Sequence, residues 1–329
     1  GFYMDTGLYH SVSYPLTRRA AVGPHTRTAW RDYLSLLKPR TVLLHMLTAA
    51  ASMFLAAGGS PSVKIMALVL LGGGLSAGAA NTLNCFFDRN LDKTMARTHN
   101  RPLPSGRLAP AQAFIFGIIC AVIGLTLLAW LSMAAAALAL GALLCYVLAY
   151  TLWLKRNTRL SAVLSSGIGA VPPLIGWIAI TGHLSLTPFL LFGIIALWTP
   201  PHFWALAIFR REDYAKALIP MLPVTHGVVY TRWQILFYTV LLVVVTVLPW
   251  ITGMSGVFYL GGALVLGGMF LYYAIRLMNP PSEAFAMKVF GYSIWYLMAL
   301  FAFLLVDHWL MPAPTPSSPG SPTAVSGSC

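Results

Sequence analysis

The sequence predicts an all-α, polytopic membrane protein: nine transmembrane helices in one bundle, with a cytoplasmic N-terminus. Three observations support this fold class. Of the 329 residues, 58% are hydrophobic and only 9% are charged, whereas a soluble domain carries about 25% charged residues. Long uncharged gaps separate the charged residues, and the basic residues fall almost wholly in alternate connections. The net charge of +13 is too sparse and too clustered for a nucleic-acid-binding surface, so we expect no nucleic-acid partner.

The uncharged gaps mark the spans in order, because a membrane helix needs about 20 apolar residues. Two gaps of 23 residues predict the first two spans, and gaps of 47, 50 and 43 residues predict two spans each. Turn residues divide these long gaps near Ser132, at 181–185 and at 252–256. A last gap of 18 residues predicts the ninth span. The charged residues that precede the gaps are, in order, Arg40, Lys64, Arg107, Arg159, Arg232 and Lys288.

The basic residues predict the orientation of the bundle, since short cytoplasmic loops retain Lys and Arg. With nine spans, 20 of the 21 Lys and Arg residues fall on the side of the N-terminus, and only Lys64 falls opposite. We therefore expect an integral protein of a bacterial plasma membrane with a basic cytoplasmic face, and less so a protein of the mitochondrial inner membrane.

The chain divides into three predicted regions. Residues 1–35 form a partly disordered cytoplasmic segment, and residues 36–311 form the nine-helix membrane domain. Residues 312–329, rich in Pro, Ser and Gly, bury too little apolar surface to fold and are predicted to be disordered.

Polar residues at the cytoplasmic end of the second span point to a metal site. Asn84, Asp88 and Asp92 are spaced by four residues, so they share one helix face. Mg²⁺ prefers oxygen ligands and is usually held by one or two carboxylates together with substrate phosphates. The same pattern also fits a helix end that is merely solvated, with Arg89 and Lys93 as local ion-pair partners. The spacing alone leaves both interpretations open.

The segment that follows favours the metal site. Arg97 and Arg101 come after the acidic residues and precede a break at two prolines. Guanidinium groups suit bidentate contact with phosphate. Acidic and basic residues within twenty positions together indicate a diphosphate site at the membrane boundary, although the orientation rule alone also accounts for the two arginines.

The motif Asn84-x-x-x-Asp88-x-x-x-Asp92 resembles the first aspartate-rich motif of the UbiA-type intramembrane prenyltransferases. Within that superfamily, further segments resemble the protohaem IX farnesyltransferases, also called haem O synthases. The resemblance runs from about residue 36 through the ninth span. The matching segments are 95–106, 150–156, 172–177, 202–207 and 213–223.

The resemblance implies Mg²⁺-dependent transfer of a farnesyl group from farnesyl diphosphate to a vinyl group of haem B, giving haem O. Asn84, Asp88 and Asp92 then hold the metal, with Asp213 as a second-site ligand and Glu212 a weaker candidate. Basic residues are implied to bind the diphosphate: Arg97, Arg101, Lys155, Arg156, Arg210 and Lys216. Haem B is a substrate here, so Mg²⁺ is the one implied cofactor.

Two residues depart from the family pattern. Leu218 stands where the family usually has Gly, which predicts an altered turn. Ser161 stands where the family usually has Asn, which predicts a weaker or replaced side-chain contact.

Haem binding is harder to assign from the sequence. His45 in the first span and His202 near the inner end of the sixth span are candidates, because an intramembrane ionisable residue is a functional candidate by default. His202 is the stronger candidate because it lies on the same predicted side as Asp213 and Arg210. Trp204 is a candidate for the wall of a porphyrin pocket. Each of these residues also fits a structural role in packing or hydrogen bonding.

Other functions remain open at this stage. A transporter predicts ionisable residues near the bilayer midplane, and a b-type cytochrome predicts paired His ligands on facing helices. A third alternative is a prenyltransferase of the same superfamily with another aromatic acceptor, such as a quinone precursor. The predicted partners are farnesyl diphosphate, haem B and membrane lipid, with a haem-modifying enzyme or a terminal oxidase assembly as a further candidate.

Overall fold

The computed structural model describes residues 30–310. Of the three predicted regions, the tail 312–329 and most of the segment 1–35 lie outside the described residues, while residues 30–35 belong to a short helix, α1 (Trp30–Leu37). Within the described range, nine helices are long and apolar enough to cross a membrane, which confirms the predicted count. They are α2 (Pro39–Ala57), α3 (Val63–Thr94), α4 (Pro110–Leu131), α5 (Met133–Asn157), α6 (Ser161–Thr181), α7 (Leu186–Phe209), α9 (Leu222–Ile251), α10 (Val257–Met278) and α11 (Phe285–Leu310). The remaining helix, α8 (Arg211–Lys216), is short and follows α7.

Several helices begin at a proline or end at a glycine. Pro39 and Pro110 stand in the first turns of α2 and α4, where a missing N–H costs nothing. Gly58 and Gly182 end α2 and α6 with φ of 63° and 77°, a conformation that glycine adopts without strain. The turn residues of the sequence therefore lie where the chain reverses.

Close helix packing joins α3 to α4. A Cβ atom at Gly124 would lie 2.7 Å from the carbonyl oxygen of Gly72, and one at Gly72 would lie 2.9 Å from the carbonyl oxygen of Gly124. Neither position has room for a side chain, so the two backbones meet directly. This contact fixes α3, which carries the acidic motif, against its neighbour.

Two spans are irregular near the end of the bundle where Lys38, Arg101 and Lys155 lie, which we call the basic end. Residues Cys145–Leu154 of α5 form a π-helix, a geometry that is common at functional sites. The span α6 is built from three short helical pieces, and only the last, Pro172–Thr181, is continuous over ten residues. Both irregular segments adjoin the end of α5 that carries Lys155 and Arg156.

Candidate active site

The acidic motif lies on the buried face of α3. Asn84, Asp88 and Asp92 are 4%, 1% and 2% exposed, although they occupy the last three turns of the helix. Charged groups are stable at such burial only when they are paired and hydrogen-bonded. The partners of these side chains therefore define the site.

Two cations from α5 bind Asp88. The Lys155 ammonium donates to Asp88 Oδ2 at 2.6 Å, and the Arg156 guanidinium contacts Oδ1 at 3.3 Å. Arg156 also donates to the carbonyl of Phe87 at 3.2 Å. The two cations contact both carboxylate oxygens, so Asp88 helps to join α5 to α3.

Asn84 connects three parts of the chain. Its Nδ2 donates to Asp88 Oδ2 at 3.0 Å and to the hydroxyl of Thr151 at 2.9 Å. Its Oδ1 accepts from Nζ of Lys38 at 3.1 Å. Thr151 lies in the π-helical segment of α5 and donates onward to the carbonyl of Tyr146. The three partners fix the orientation of the amide, and Oδ1 keeps a second lone pair.

The loop that follows α3 contacts Asp92. Nη1 of Arg101 lies 3.0 Å from Asp92 Oδ2, and the hydroxyl of Thr98 donates to the Asp92 carbonyl at 3.0 Å. The loop therefore folds back over the helix end. Arg89 instead donates to the carbonyl of Phe86 at 2.7 Å, so the acidic residues are paired across the fold rather than with their sequence neighbours.

A cavity of about 350 Å³ opens beside this cluster. Its polar wall carries Lys38, Arg97, Asn100, Arg101 and Arg107, and Arg107 is itself paired with Asp32 at 3.2 Å. Burial lowers the pKa of the Lys38 ammonium, the nearby Arg101 lowers it further, and Asp88 and Asp92 partly oppose the change. The basic residues around this cavity outnumber the two buried carboxylates. The cavity therefore favours the binding of a polyanion.

A second, smaller cavity of about 190 Å³ lies between the end of α3 and α8. Lys93, His99, Asp213 and Lys216 line it. Oδ2 of Asp213 is buried and makes no hydrogen bond with a described residue; Nη1 of Arg210 is 3.9 Å away. An unsatisfied buried acceptor costs about 1–3 kcal/mol, and a charged one costs more. This oxygen is therefore a ready acceptor for a cation or a donor on a ligand.

The comparisons with known proteins agree with this geometry. The UbiA prenyltransferase family matches residues 45–304. This chain belongs to that family. It is similar to the protoheme IX farnesyltransferase of Xanthomonas campestris pv. campestris (strain 8004), with 53% identity over 290 residues that cover 86% of this chain and 97% of that protein. It is also similar to the protoheme IX farnesyltransferase of Xylella fastidiosa (strain Temecula1), with 54% identity over 288 residues that cover 85% of this chain and 96% of that protein.

Solved structures show the same fold at low sequence identity. A digeranylgeranylglyceryl phosphate synthase superposes with a TM-score of 0.71 at 20% identity, covering 86% of this chain and 99% of that one. A UbiA homologue from Archaeoglobus fulgidus bound to GPP and Mg²⁺ gives a TM-score of 0.56 at 16% identity, covering 83% and 99%. The protein is therefore an integral membrane prenyltransferase of the UbiA family, and the transporter and cytochrome alternatives are set aside.

The donor set of α3 fits a magnesium ion. Among residues 30–310, no three His, Cys, Asp or Glu side chains are close enough to hold a metal by themselves. The site instead offers two carboxylates and one carboxamide oxygen, all hard donors, beside cations that can bind phosphate. Mg²⁺ commonly takes one or two protein carboxylates and completes its shell with water and substrate phosphates.

The structure brings together six of the predicted residues and separates the rest. Asn84, Asp88, Lys155 and Arg156 form one hydrogen-bonded network, and Asp92 pairs with Arg101 one turn further along α3. Arg97 lines the larger cavity, whereas Asp213 and Lys216 line the smaller one. Arg210 lies over the ring of Phe209, with its guanidinium carbon 5.1 Å from the ring centre.

The three remaining predicted residues lie in the membrane part of the bundle. Trp204 is 1% exposed and packs against Tyr238 among apolar side chains. His45 is half-buried on α2, and its Nε2 faces Gly169. His202 lies on α7 between two aromatic rings. None of the three makes a hydrogen bond or ion pair with the cluster on α3 in the described part of the chain.

Two residues of the cluster were missed by the sequence analysis. Lys38 precedes Pro39 at the start of the first span and has φ of 52°, and Thr151 lies within one of the family-like segments. A lysine followed by a proline at the basic end of a span is a usable signal for Lys38. Thr151 carries no such signal, because its role depends on the π-helix.

Both departures from the family pattern have visible consequences. Leu218 has φ of 55°, so a leucine occupies a left-handed position that favours glycine. Ser161 is buried, and its hydroxyl contacts the sulfur of Met221 at 3.8 Å, a weaker acceptor than an oxygen.

Proposed function

We propose that this prenyltransferase moves a farnesyl group from farnesyl diphosphate to a vinyl group of haem B. The proposal is supported by the relatives named above and by one observation in the structure: two buried carboxylates on α3 surrounded by Lys38, Arg101, Lys155 and Arg156. A prenyl diphosphate needs this combination, because its leaving group carries several negative charges that must be stabilised as the C–O bond breaks.

Asn84, Asp88 and Asp92 would hold Mg²⁺, with Asp213 contributing from the opposite side. When bound, the ion supplies Lewis-acid stabilisation of the phosphate oxygens. The basic residues act on the same charge: Lys155, Arg156 and Arg101 bind the diphosphate and stabilise it as it departs with the bonding electron pair. Arg97 in the larger cavity, and Arg210 and Lys216 beside the smaller one, complete the positive surroundings.

The departing diphosphate leaves an allylic cation, which then reacts with a vinyl carbon of haem B. The vinyl π electrons of haem B form the new C–C bond, and the positive charge moves to the carbon next to the porphyrin ring. Water then adds there and loses a proton, which gives a hydroxyethylfarnesyl side chain. The residues that border the cluster within the bundle are apolar, so water is kept from the cation until the C–C bond exists.

The basic end is proposed to face the cytoplasm of a bacterial cell. The distribution of Lys and Arg supports this orientation, and it places the diphosphate site where a water-soluble head group enters. The fifteen-carbon chain and the porphyrin would reach the site from the lipid side. A haem-modifying enzyme or a terminal oxidase assembly would then receive a product that remains in the membrane.

Acceptor choice tests this function. The purified protein, with Mg²⁺ and farnesyl diphosphate, is offered haem B and, separately, 4-hydroxybenzoate as a representative quinone precursor. We expect a farnesylated porphyrin and no prenylated benzoate by mass spectrometry. Prenylation of the benzoate, with haem B unchanged, would assign the chain to another branch of the family.

A further inference from the structure

The imidazole of His202 is held in a stack of three aromatic rings. Trp198, one turn earlier on α7, lies 4.3 Å from it at an interplanar angle of 19°. Phe290 of α11 lies 4.6 Å away on the other face at 21°. Because both faces of the ring are covered, the plane of the imidazole is fixed and only its nitrogen-bearing edges can meet a polar group.

The hydrogen bonds of Ser293 determine which nitrogen carries the proton. The Ser293 hydroxyl donates to the carbonyl of Phe290 at 2.6 Å, and this uses its one hydrogen. Nδ1 of His202 lies 2.7 Å from the same hydroxyl oxygen, so Nδ1–H is the donor and the oxygen accepts. The other nitrogen, Nε2, then carries a lone pair, and no described residue donates to it.

The support for this arrangement is rigid. The Trp198 indole N–H donates to the carbonyl of Ser293 at 2.8 Å, so α7 contacts the same buried serine twice, through Trp198 and through His202. Pro200 and Pro201 lie inside α7 immediately before His202 and deprive the helix of two backbone donors there. The histidine thus lies where the regular hydrogen bonding of the helix is interrupted.

His202 lies at nearly the same depth as Asp88. It precedes the end of α7 by seven residues and Asp88 precedes the end of α3 by six, which places both about 10 Å from those ends at 1.5 Å per residue. The two ends are adjacent, because Met95, which follows α3, lies in one buried apolar cluster with Ala207 of α7. A planar acceptor bound at His202 would therefore lie level with the diphosphate cluster.

We propose that Nε2 of His202 is the axial ligand of the iron in the porphyrin acceptor. The inference rests on the proposed function, and it assigns the residue that fixes the acceptor in the bundle. A neutral imidazole that donates Nδ1–H to an oxygen and offers Nε2 is the usual form of a metal-bound histidine. His45 has no such support, since its ring makes no hydrogen bond within residues 30–310.

Binding spectroscopy tests the assignment without relying on turnover. The purified protein in lipid nanodiscs is titrated with haem B and with metal-free protoporphyrin IX, and the ferrous haem complex is examined by resonance Raman for an iron–histidine stretch. We expect the wild-type protein to show this band and to bind haem B more tightly than the metal-free porphyrin. His202→Ala should lose the band and the preference while it binds the metal-free porphyrin as before, and added imidazole should restore iron ligation.

Two further variants complete the test. His45→Ala, the matched control on α2, should keep both the band and the preference. Ser293→Ala keeps the ligand but removes the oxygen that accepts from Nδ1–H, so the iron–histidine frequency should fall and haem affinity should weaken by about tenfold. An iron–histidine band that persists in His202→Ala, or that disappears in His45→Ala instead, would overturn the assignment.

The outcome also separates this inference from the proposed function. If the wild-type protein farnesylates haem B but His202→Ala retains the band, the ligand assignment alone fails. If the wild-type protein neither binds haem B nor converts it, both fail.

Discussion

At the scale of single residues, Asp88 is a buried carboxylate with three side-chain partners. It is 1% exposed and accepts from Asn84, Lys155 and Arg156. Removal of one member of a buried charge pair leaves the other uncompensated, at a cost of about 3–5 kcal/mol. Under the proposed function, the same cations would also bind the diphosphate of the substrate.

Asp88→Asn should abolish turnover while the protein remains folded. The amide keeps the shape and the hydrogen bond with Asn84 but loses the negative charge that would hold the proposed metal. We expect activity to fall at least about 100-fold, equivalent to about 2.7 kcal/mol of lost transition-state stabilisation, measured as farnesylated haem per unit protein. Glu283→Asn, at an exposed acidic residue, is the control and should retain activity; near-normal activity in both variants would refute the metal site.

Arg97 and Arg101 are expected to act on the diphosphate rather than on the porphyrin. Both line the larger cavity, and Arg101 also pairs with Asp92. Arg97→Ala and Arg101→Ala should weaken binding of farnesyl diphosphate and leave haem affinity unchanged, as measured by separate titrations of the two substrates. Arg276→Ala, at an exposed arginine of α10, is the control. Equal loss of affinity for both substrates would assign the arginines a structural role instead.

At the scale of elements, the end of α8 carries a strained residue. The N–H of Leu218 donates to the carbonyl of Ala215, and that of Ile219 donates to the carbonyl of Tyr214. This pair of bonds forms a Schellman motif with Leu218 at the left-handed position. The leucine side chain is 87% exposed, so it gains little from packing in return for its strain.

Leu218→Gly should stabilise the protein by about 1 kcal/mol, because a left-handed conformation costs a non-glycine residue about that amount. The measurement is unfolding in a mild detergent followed by circular dichroism. Ala215→Gly, at an exposed position within the same helix, should destabilise by a similar amount, since glycine is unfavourable inside a helix. Destabilisation by Leu218→Gly would contradict the strain described here.

A second contact between helices lies at the end of the bundle opposite the basic end. The buried carboxylate of Asp307 on α11 accepts from the backbone N–H of Gly256 at 2.6 Å and of Tyr259 at 3.0 Å. These donors belong to the first turn of α10 and have no partner within their own helix. Asp307 therefore caps α10 from another helix, and its charge also favours the positive end of the helix dipole.

Asp307→Ala should lower the free energy of unfolding by about 2 kcal/mol, since two buried donors lose a charged acceptor. Substrate affinity should change little, because α10 begins at the end of the bundle remote from the acidic cluster. Parallel unfolding and titration experiments separate the two effects. A variant as stable as the wild-type protein would show that the cap contributes nothing.

At the scale of the whole molecule, the sequence was sufficient to predict the number of spans. It was not sufficient to predict which distant residues pair with the acidic motif. Nine spans could be predicted because charged residues are excluded from the bilayer core and so mark each gap. The periodicity of Asn84, Asp88 and Asp92 placed them on one face of α3. The ion pair of Asp88 with Lys155 joins residues 67 positions apart, and only the fold reveals it.

Local conformation explains the remaining omissions. The π-helix over Cys145–Leu154 brings Thr151 to Asn84, and no sequence pattern distinguishes it from an ordinary helix. Likewise, α9 contains a break at Gly227, with φ of 84° and ψ of 167°, in a stretch that otherwise continues the helical pattern. Tertiary packing determines these deviations, so single-chain periodicity could not predict them.

Mass spectrometry of the product formed in ¹⁸O-labelled water tests the central claim most directly. The purified protein is incubated with Mg²⁺, farnesyl diphosphate and haem B, and the porphyrin product is analysed beside that of Asp88→Asn. We expect a haem that has gained a farnesyl group and a hydroxyl carrying ¹⁸O, and no such product from the variant. Unmodified haem from the wild-type protein, or a farnesylated haem whose hydroxyl is unlabelled, would contradict it.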